Sequence, residues 1–175
     1  MSYKKIIISL LILSLVFIFT GCLGKLFPST PSVTSPEGTA GVIYLEPANL
    51  KISPSKNFTV ELKTASITDL KGYSITLSYD PALIRLNEVT EGPFFSSEGE
   101  TFFYRDIDNQ QGSVLIDCAI LGHDLSVSGE GTLAALSFIC LKSGVTSITF
   151  GFTDTRDTYD KEIIATKSNA KLSSK

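Results

Sequence analysis

The chain has no tryptophan, a single histidine and only three cysteines. Without tryptophan it lacks the usual flat platform on which a sugar ring stacks. His123 stands alone in a loop rich in glycine and serine, with no sequence partner that would make it a general base. There is no Gly-x-Ser-x-Gly elbow, no phosphate-binding glycine loop and no patterned Cys–His pair, so neither an activated nucleophile nor a nucleotide cradle is indicated. Charged residues make up 19% of the chain, with a formal net charge of −3 and no basic cluster, which gives nucleic acid little to hold. No internal repeat and no block of like charge is visible. After residue 40, no run has the capped 3.6-residue period of a substantial helix. These absences point away from an enzyme.

The one long apolar run is terminal. Lys4 and Lys5 precede a predominantly apolar stretch from Ile6 to Phe19, followed by Thr20, Gly21 and Cys22. A short positive segment, an apolar core and small residues before the cut describe an export signal over residues 1–21. The run is shorter than the ~20 apolar residues a spanning helix needs. Phe19-Thr20-Gly21-Cys22 resembles a bacterial lipobox, with Phe19 where leucine is usual. That resemblance implies lipidation of Cys22 as the first mature residue, and two or more acyl chains hold a protein stably at a membrane. Leu23 is not the aspartate that retains many lipoproteins at an inner membrane. The implied placement is an exported protein, lipid-anchored to the cell envelope and facing outward. Residues 22–40 are rich in Pro, Ser and Thr (KLFPSTPSVTSPEGTA from Lys25 onward) and suit an extended tether. Loss of Lys4 and Lys5 with the signal moves the formal charge from −3 to −5. Residues 41–175 remain, enough for one domain with one core.

Over that domain the dominant signal is a period of two. Tyr73, Ile75, Leu77 and Tyr79 alternate with Ser74, Thr76 and Ser78, as in a strand burying one face. Asp80-Pro81 ends the run, because proline has no amide hydrogen for a ladder and an Asx-type carboxylate favours a turn. Phe58, Val60 and Leu62 alternate with Thr59, Glu61 and Lys63. Further strand-like runs lie at 42–45, 83–89, 102–105, 114–121, 133–141, 148–153 and 169–173, separated by turn formers. The fold class implied is all-β, a nine-stranded antiparallel jelly-roll β-sandwich. Cys118 and Cys140 fall in phase with apolar neighbours. If their strands run up and down one sandwich, their heights differ by roughly 15 Å at ~3.3 Å per residue, beyond disulfide reach. They read as two buried thiols acting as small hydrophobes.

The Tyr73–Tyr79 strand, its Tyr-Asp-Pro corner and the short strand that follows resemble the cohesin family, the receptor modules of cellulosomes. Gly112-Ser-Val-Leu-Ile and Gly129-Glu-Gly-Thr-Leu-Ala-Ala-Leu-Ser-Phe are similar to the family's late strands, as is the acidic loop before Glu162-Ile163-Ile164. The resemblance extends over nearly all of residues 41–175. It implies a scaffold shared with carbohydrate-binding domains and a non-catalytic module. Such modules bind the calcium-loaded dockerin of a partner on one flat sheet face, built here by the third, fifth, sixth and eighth predicted strands. Alternation then assigns the outward residues of that face: Ser74, Thr76 and Ser78; Leu115, Asp117, Ala119 and Leu121; Thr149, Gly151 and Thr153; with Phe103 and Arg105 as further candidates. In many cohesins the strand before Tyr-Asp-Pro carries asparagine and aspartate toward the dockerin; here those positions are Gly72 and Ser74. No cofactor is implied for this chain, calcium being expected on the dockerin.

Two other readings rest on residues alone. Asp154, Asp157 and Asp160 are spaced three apart and offer carboxylates to calcium, but the spacing is not an EF-hand loop and a solvated acidic loop is the simpler reading. Phe94, Phe95, Phe102, Phe103 and Tyr104 cluster in sequence, and rings on a jelly roll can stack a polysaccharide. A carbohydrate-binding lipoprotein is therefore the alternative to a docking module. Alternation would bury about half of those rings, which favours core packing.

Overall fold

A computed structural model describes residues 41–175; the export signal at 1–21, the lipidation candidate Cys22 and the tether through residue 40 lie outside the described residues. The elements, in chain order, are β1 (Gly41–Glu46), β2 (Asn49–Ile52), β3 (Asn57–Leu70), β4 (Gly72–Ser78), β5 (Ile84–Glu91), a one-turn helix α1 (Pro93–Ser96), β6 (Thr101–Asp108), β7 (Ser113–Ile120), β8 (Val127–Cys140), β9 (Gly144–Arg156), β10 (Ala165–Ser168) and β11 (Ala170–Ser174). They form a five-stranded sheet in the order β10-β1-β3-β8-β5 and a six-stranded sheet in the order β2-β11-β9-β4-β7-β6.

The all-β sandwich expected from the alternation is present, with two strands more than the nine predicted. The additions are β2 and β10, four residues each, largely exposed and lying at sheet edges. Both pair in parallel, β10 with β1 and β2 with β11, so the sandwich is antiparallel except at those two edges. Neither strand carries a buried stripe of its own. Each is held by hydrogen bonds to a strand distant in sequence, which local alternation cannot reveal.

The inward stripes supply the core. Ile43, Leu45, Val60, Leu62, Leu136 and Phe138 from the first sheet face Ile75, Leu77, Val114, Ile116 and Ile148 from the second, all nearly fully buried. Burying such a side chain stabilises by about 1.5–3 kcal/mol relative to leaving it exposed. Phe138 stacks on Phe58 at 5.4 Å and receives the edge of Tyr79 at 5.4 Å. The Tyr73 hydroxyl crosses the sandwich to donate to the Leu133 carbonyl at 3.1 Å, satisfying a buried polar group.

The Tyr-Asp-Pro corner closes as its chemistry requires. The Asp80 carboxylate accepts the Ala82 amide at 2.9 Å, and its carbonyl accepts the amides of Leu83 and Ile84, each at 3.1 Å. The amide of Tyr79 donates to the Gly112 carbonyl at 2.7 Å, which fastens the corner to the start of β7. Cys118 and Cys140 are both buried and free, one in each sheet.

Candidate functional site

The outer face of the six-stranded sheet is regularly registered across its second half, apart from one irregularity on β9. β4 lies between β7 and β9, and β6 forms the edge. Opposed residues make rows across the strands. Phe102, Ala119, Gly72 and Arg156 form one row, and Tyr104, Asp117, Ser74 and Asp154 the next. Asp106, Leu115 and Thr76 begin a third, and Asp108, Ser113, Ser78 and Thr149 a fourth. In the third row β9 spends two residues, Gly151 and Phe152, against Thr76 alone, because Leu77 pairs with Phe150 and Ile75 with Thr153. This β-bulge reverses the phase of β9 beyond it.

Most residues assigned to the face from sequence stand on it together. Ser74, Thr76, Ser78, Leu115, Asp117, Ala119, Leu121 and Thr149 all point away from the core, and Gly151 lies in the bulge beside Thr76. Three further candidates do not. Thr153 is in register with buried Ile75, so it belongs to the inner phase, the bulge having shifted it by one residue. Phe103 opposes Cys118 and packs against the core, and Arg105 opposes Ile116 in the same phase. A one-residue difference in phase exchanges the two faces of a strand. The outward residues of β6 are instead Phe102, Tyr104 and Asp106. Phe152 is the other residue that sequence did not assign; no alternation marks a bulge, although Gly-Phe is its sequence trace.

The face is apolar at its rim and mixed at its centre. Phe102 is 53% exposed, Tyr104 45%, Leu121 48% and Phe152 63%. Exposed side chains of this size, grouped on one surface, mark an interaction site more often than isolated ones do. Of the five clustered aromatics, Phe94 and Phe95 are buried around α1 and Phe103 packs on the core, leaving Phe102 and Tyr104 on the surface.

At one end of the face lies an open depression of about 420 Å³ lined by Lys71, Gly72, Ser74, Asp117, Ala119 and the Asp154–Asp160 turn. Its cations are already engaged: the Lys71 ammonium donates to the Gly122 carbonyl, and Arg156 donates from Nε to Asp154 at 2.7 Å and from its fork to the Asp160 carbonyl at 3.1 Å. The Asp154 carboxylate beside Arg156 holds the guanidinium pKa above its usual value. Asp117 differs, because its Oδ1 is buried and has no hydrogen-bond partner.

The three aspartates of the calcium reading do not converge. Asp154 is paired with Arg156, and Asp157 accepts the amides of Tyr159 at 2.8 Å and Lys161 at 2.9 Å. Asp160 takes a positive φ of 59° and offers its carbonyl to Arg156. Among the described residues no group of three His, Cys, Asp or Glu side chains is arranged to hold a metal ion. Of the three, it is the Asp157 carboxylate that closes the turn.

The family model for the cohesin domain matches residues 43–171. No curated protein sequence matches the chain. Among solved structures, it is similar to a non-cellulosomal cohesin from the hyperthermophilic archaeon Archaeoglobus fulgidus, at 13% identity and a TM-score of 0.66, covering 78% of this chain and 91% of that one. A type I cohesin–dockerin complex from Clostridium thermocellum matches at 16% identity and 0.67, covering 78% and 99%. A type II cohesin domain from the cellulosome of Acetivibrio cellulolyticus matches at 19% and 0.67, covering 76% and 95%.

Proposed function

The chain belongs to the cohesin family, and on that premise we propose that it is a non-catalytic docking module that receives a dockerin-bearing protein on the outer β9-β4-β7-β6 face. The observation that carries this reading is the grouping of Phe102, Tyr104, Leu121 and Phe152, all exposed, around a centre of small and hydroxyl side chains. Large apolar side chains left exposed together on one surface mark an interaction site. The contacting residues are Ser74, Thr76, Ser78, Leu115, Asp117, Ala119, Leu121, Thr149 and Gly151, joined by Phe102, Tyr104 and Phe152. Gly72 and Ser74 offer no carboxamide or carboxylate, so the partner recognises this face mainly by shape and apolar contact near β4.

The same reading places the module at the outward-facing envelope, held by a lipid on Cys22 and a tether through residue 40. Confinement near a membrane raises the local concentration of whatever the module binds, and partners that degrade polysaccharide fit such a placement. A second reading, direct binding of polysaccharide, is favoured only by the two surface rings Phe102 and Tyr104. Titration with a panel of calcium-loaded dockerin domains, run beside a glycan array, separates the two. Saturable binding to a dockerin and a blank array support docking; the reverse result overturns it. Metabolic labelling with a fatty acid, present in the full chain and lost in Cys22→Ala, tests the anchor.

A further inference from the structure

The four edges of the two sheets are not equally protected. β2 and β10 have four residues each. β5 shifts register between Leu86 and Glu88, and the Asn109 side chain bonds the amide and carbonyl of Leu86. Short strands, bulges and covering groups are the usual means of keeping an edge from pairing with another chain. β6 has none of them. Its eight residues, Thr101–Asp108, stay in unbroken register with β7 and include neither proline nor glycine. Among the described residues β7 is its only strand neighbour.

The hydrogen-bond phase of β6 follows from the bonds around β7. Leu121 donates its amide to the Glu100 carbonyl at 2.8 Å, on the β6 side, and Ile120 donates to the Lys71 carbonyl at 3.0 Å, on the β4 side. Opposed residues of an antiparallel ladder alternate between bonded and non-bonded pairs. Phe102, Tyr104, Asp106 and Asp108 therefore bond to β7. Thr101, Phe103, Arg105 and Ile107 turn their amides and carbonyls outward along an open edge. An added strand must match this phase, keep outer side chains on the outer face and avoid like charges directly opposite. A second copy of β6 does all three when it runs antiparallel about a two-fold axis at Tyr104. Thr101 then opposes Ile107 and Phe103 opposes Arg105, so every outward-turned residue is paired. On the outer face Tyr104 meets its own counterpart and Phe102 opposes Asp106. Asp108 and exposed Glu100 meet only beyond the ends of this ladder, where solvent screens them. An axis at Arg105 or Asp106 would oppose like charges, and one at Phe103 would leave Ile107 with no strand residue opposite it.

We propose that two copies of this chain associate edge to edge through β6, antiparallel about Tyr104, and join their six-stranded sheets into one continuous sheet. The contact is isologous, the same strand serving both copies. It gives the exposed rings of Phe102 and Tyr104 a neighbour across the edge, and cross-strand aromatic pairs are favourable. The axis stands perpendicular to the sheet, so the outer faces of both copies look the same way. The proposed docking face is thus doubled rather than covered, and the pairing does not depend on what that face binds.

Disulfide trapping in the full chain reads both the contact and its register. Non-bonded antiparallel pairs bring Cα atoms to about 4.5 Å, within disulfide reach. Tyr104→Cys is expected to give a covalent dimer under mild oxidation, because residue 104 of each copy meets its counterpart at the axis. Phe102→Cys and Asp106→Cys are each expected to give no more dimer than the unsubstituted chain, yet to cross-link with one another when co-expressed. This pair reports the register by a second route should Tyr104→Cys fold poorly. Val145→Cys, at a position 63% exposed on β9 and remote from β6, also stays at the level of the unsubstituted chain, which accounts for the native cysteines. Dimer from Tyr104→Cys no greater than from Val145→Cys overturns the proposal. So does cross-linking of Phe102→Cys or Asp106→Cys alone as readily as the two together.

Discussion

The side-chain amide of Asn109 completes both backbone hydrogen bonds of Leu86. Its Oδ1 accepts the Leu86 amide at 3.0 Å, and its Nδ2 donates to the Leu86 carbonyl at 2.9 Å. Asn109 thereby stands where a neighbouring strand would, against the open edge of β5, and it reaches there from the β6–β7 hairpin of the opposite sheet. Its Oδ1 also accepts the Tyr79 hydroxyl at 2.9 Å. One residue thus ties the Tyr-Asp-Pro corner, the β5 edge and the hairpin together. Asn109→Ala leaves the Leu86 amide and carbonyl without these partners, a loss of about 1–3 kcal/mol. Tyr79→Phe removes only one bond and is expected to cost about 0.5–1.5 kcal/mol. Urea denaturation of the two variants checks the order; equal midpoints would show that water replaces the amide without loss.

Gly112 is predicted to be the least replaceable glycine at this corner. Its φ is +69°, and a Cβ there would lie 2.1 Å from the Tyr79 carbonyl oxygen and 2.6 Å from Pro81 Cδ. Backbone and a proline ring cannot swing aside as a flexible side chain can. Gly129 has φ of +111° but nothing within 4 Å of the built Cβ. Alanine at Gly129 therefore meets backbone strain alone, about 1–3 kcal/mol, whereas alanine at Gly112 adds a collision. The thermal midpoint of Gly112→Ala should fall well below that of Gly129→Ala.

Cys118 should be chemically silent while the protein is folded. Burial and, after it, the Glu91 carboxylate, whose oxygen lies 3.8 Å from Sγ, push its thiol from an ordinary 9.0 up to about 12. The thiolate is the reactive form, so a thiol reagent is expected to leave Cys118 unmodified until the chain unfolds. The same shift sets a pH dependence. Below pH 9 the proton stays on in both states and the contribution to stability is complete. Between about 9 and 12 the unfolded chain releases it while the folded chain does not, so stability falls as pH rises. Urea midpoints measured at rising pH should drop more steeply for the wild type than for Cys118→Ala, which lacks this titration. Parallel slopes would refute the assignment.

How far the sequence could be read follows from where packing is local. Tyr73 to Tyr79 and Val114 to Ile120 alternate without interruption, so each strand discloses its own buried face, and the outward positions Ser74, Thr76, Leu115, Asp117 and Ala119 follow. On β6 three aromatic residues stand consecutively, Phe102, Phe103 and Tyr104, and alternation gives no phase. Pairing of Phe103 with Cys118 decides it. On β9 the alternation is real on each side of Gly151–Phe152, but the bulge joins the halves out of phase and turns Thr153 inward. β2 and β10 are edge strands whose partners lie more than a hundred residues away in sequence, at β11 and β1. Asn109 reads only as a turn former. Its role depends on the Leu86 edge being adjacent, a fact of topology.

The docking reading makes a prediction that separates recognition from folding. Thr76 and Ala119 lie on the outer face of adjacent strands, β4 and β7, and neither contributes to the core. Glutamate at either position keeps its charge in solvent in the free protein, where surface changes usually alter stability by no more than about 0.5 kcal/mol. In a complex the same charge is desolvated, and truncated or mismatched buried charges cost about 2–5 kcal/mol. Thr76→Glu and Ala119→Glu should therefore retain the wild-type thermal midpoint and lose dockerin binding by a factor of thirty or more. Phe152→Ala, removing a ring that is 63% exposed, should likewise leave the fold intact and weaken binding by a smaller factor. Unchanged affinity in all three variants, measured by calorimetric titration, would place the partner on another surface of the sandwich.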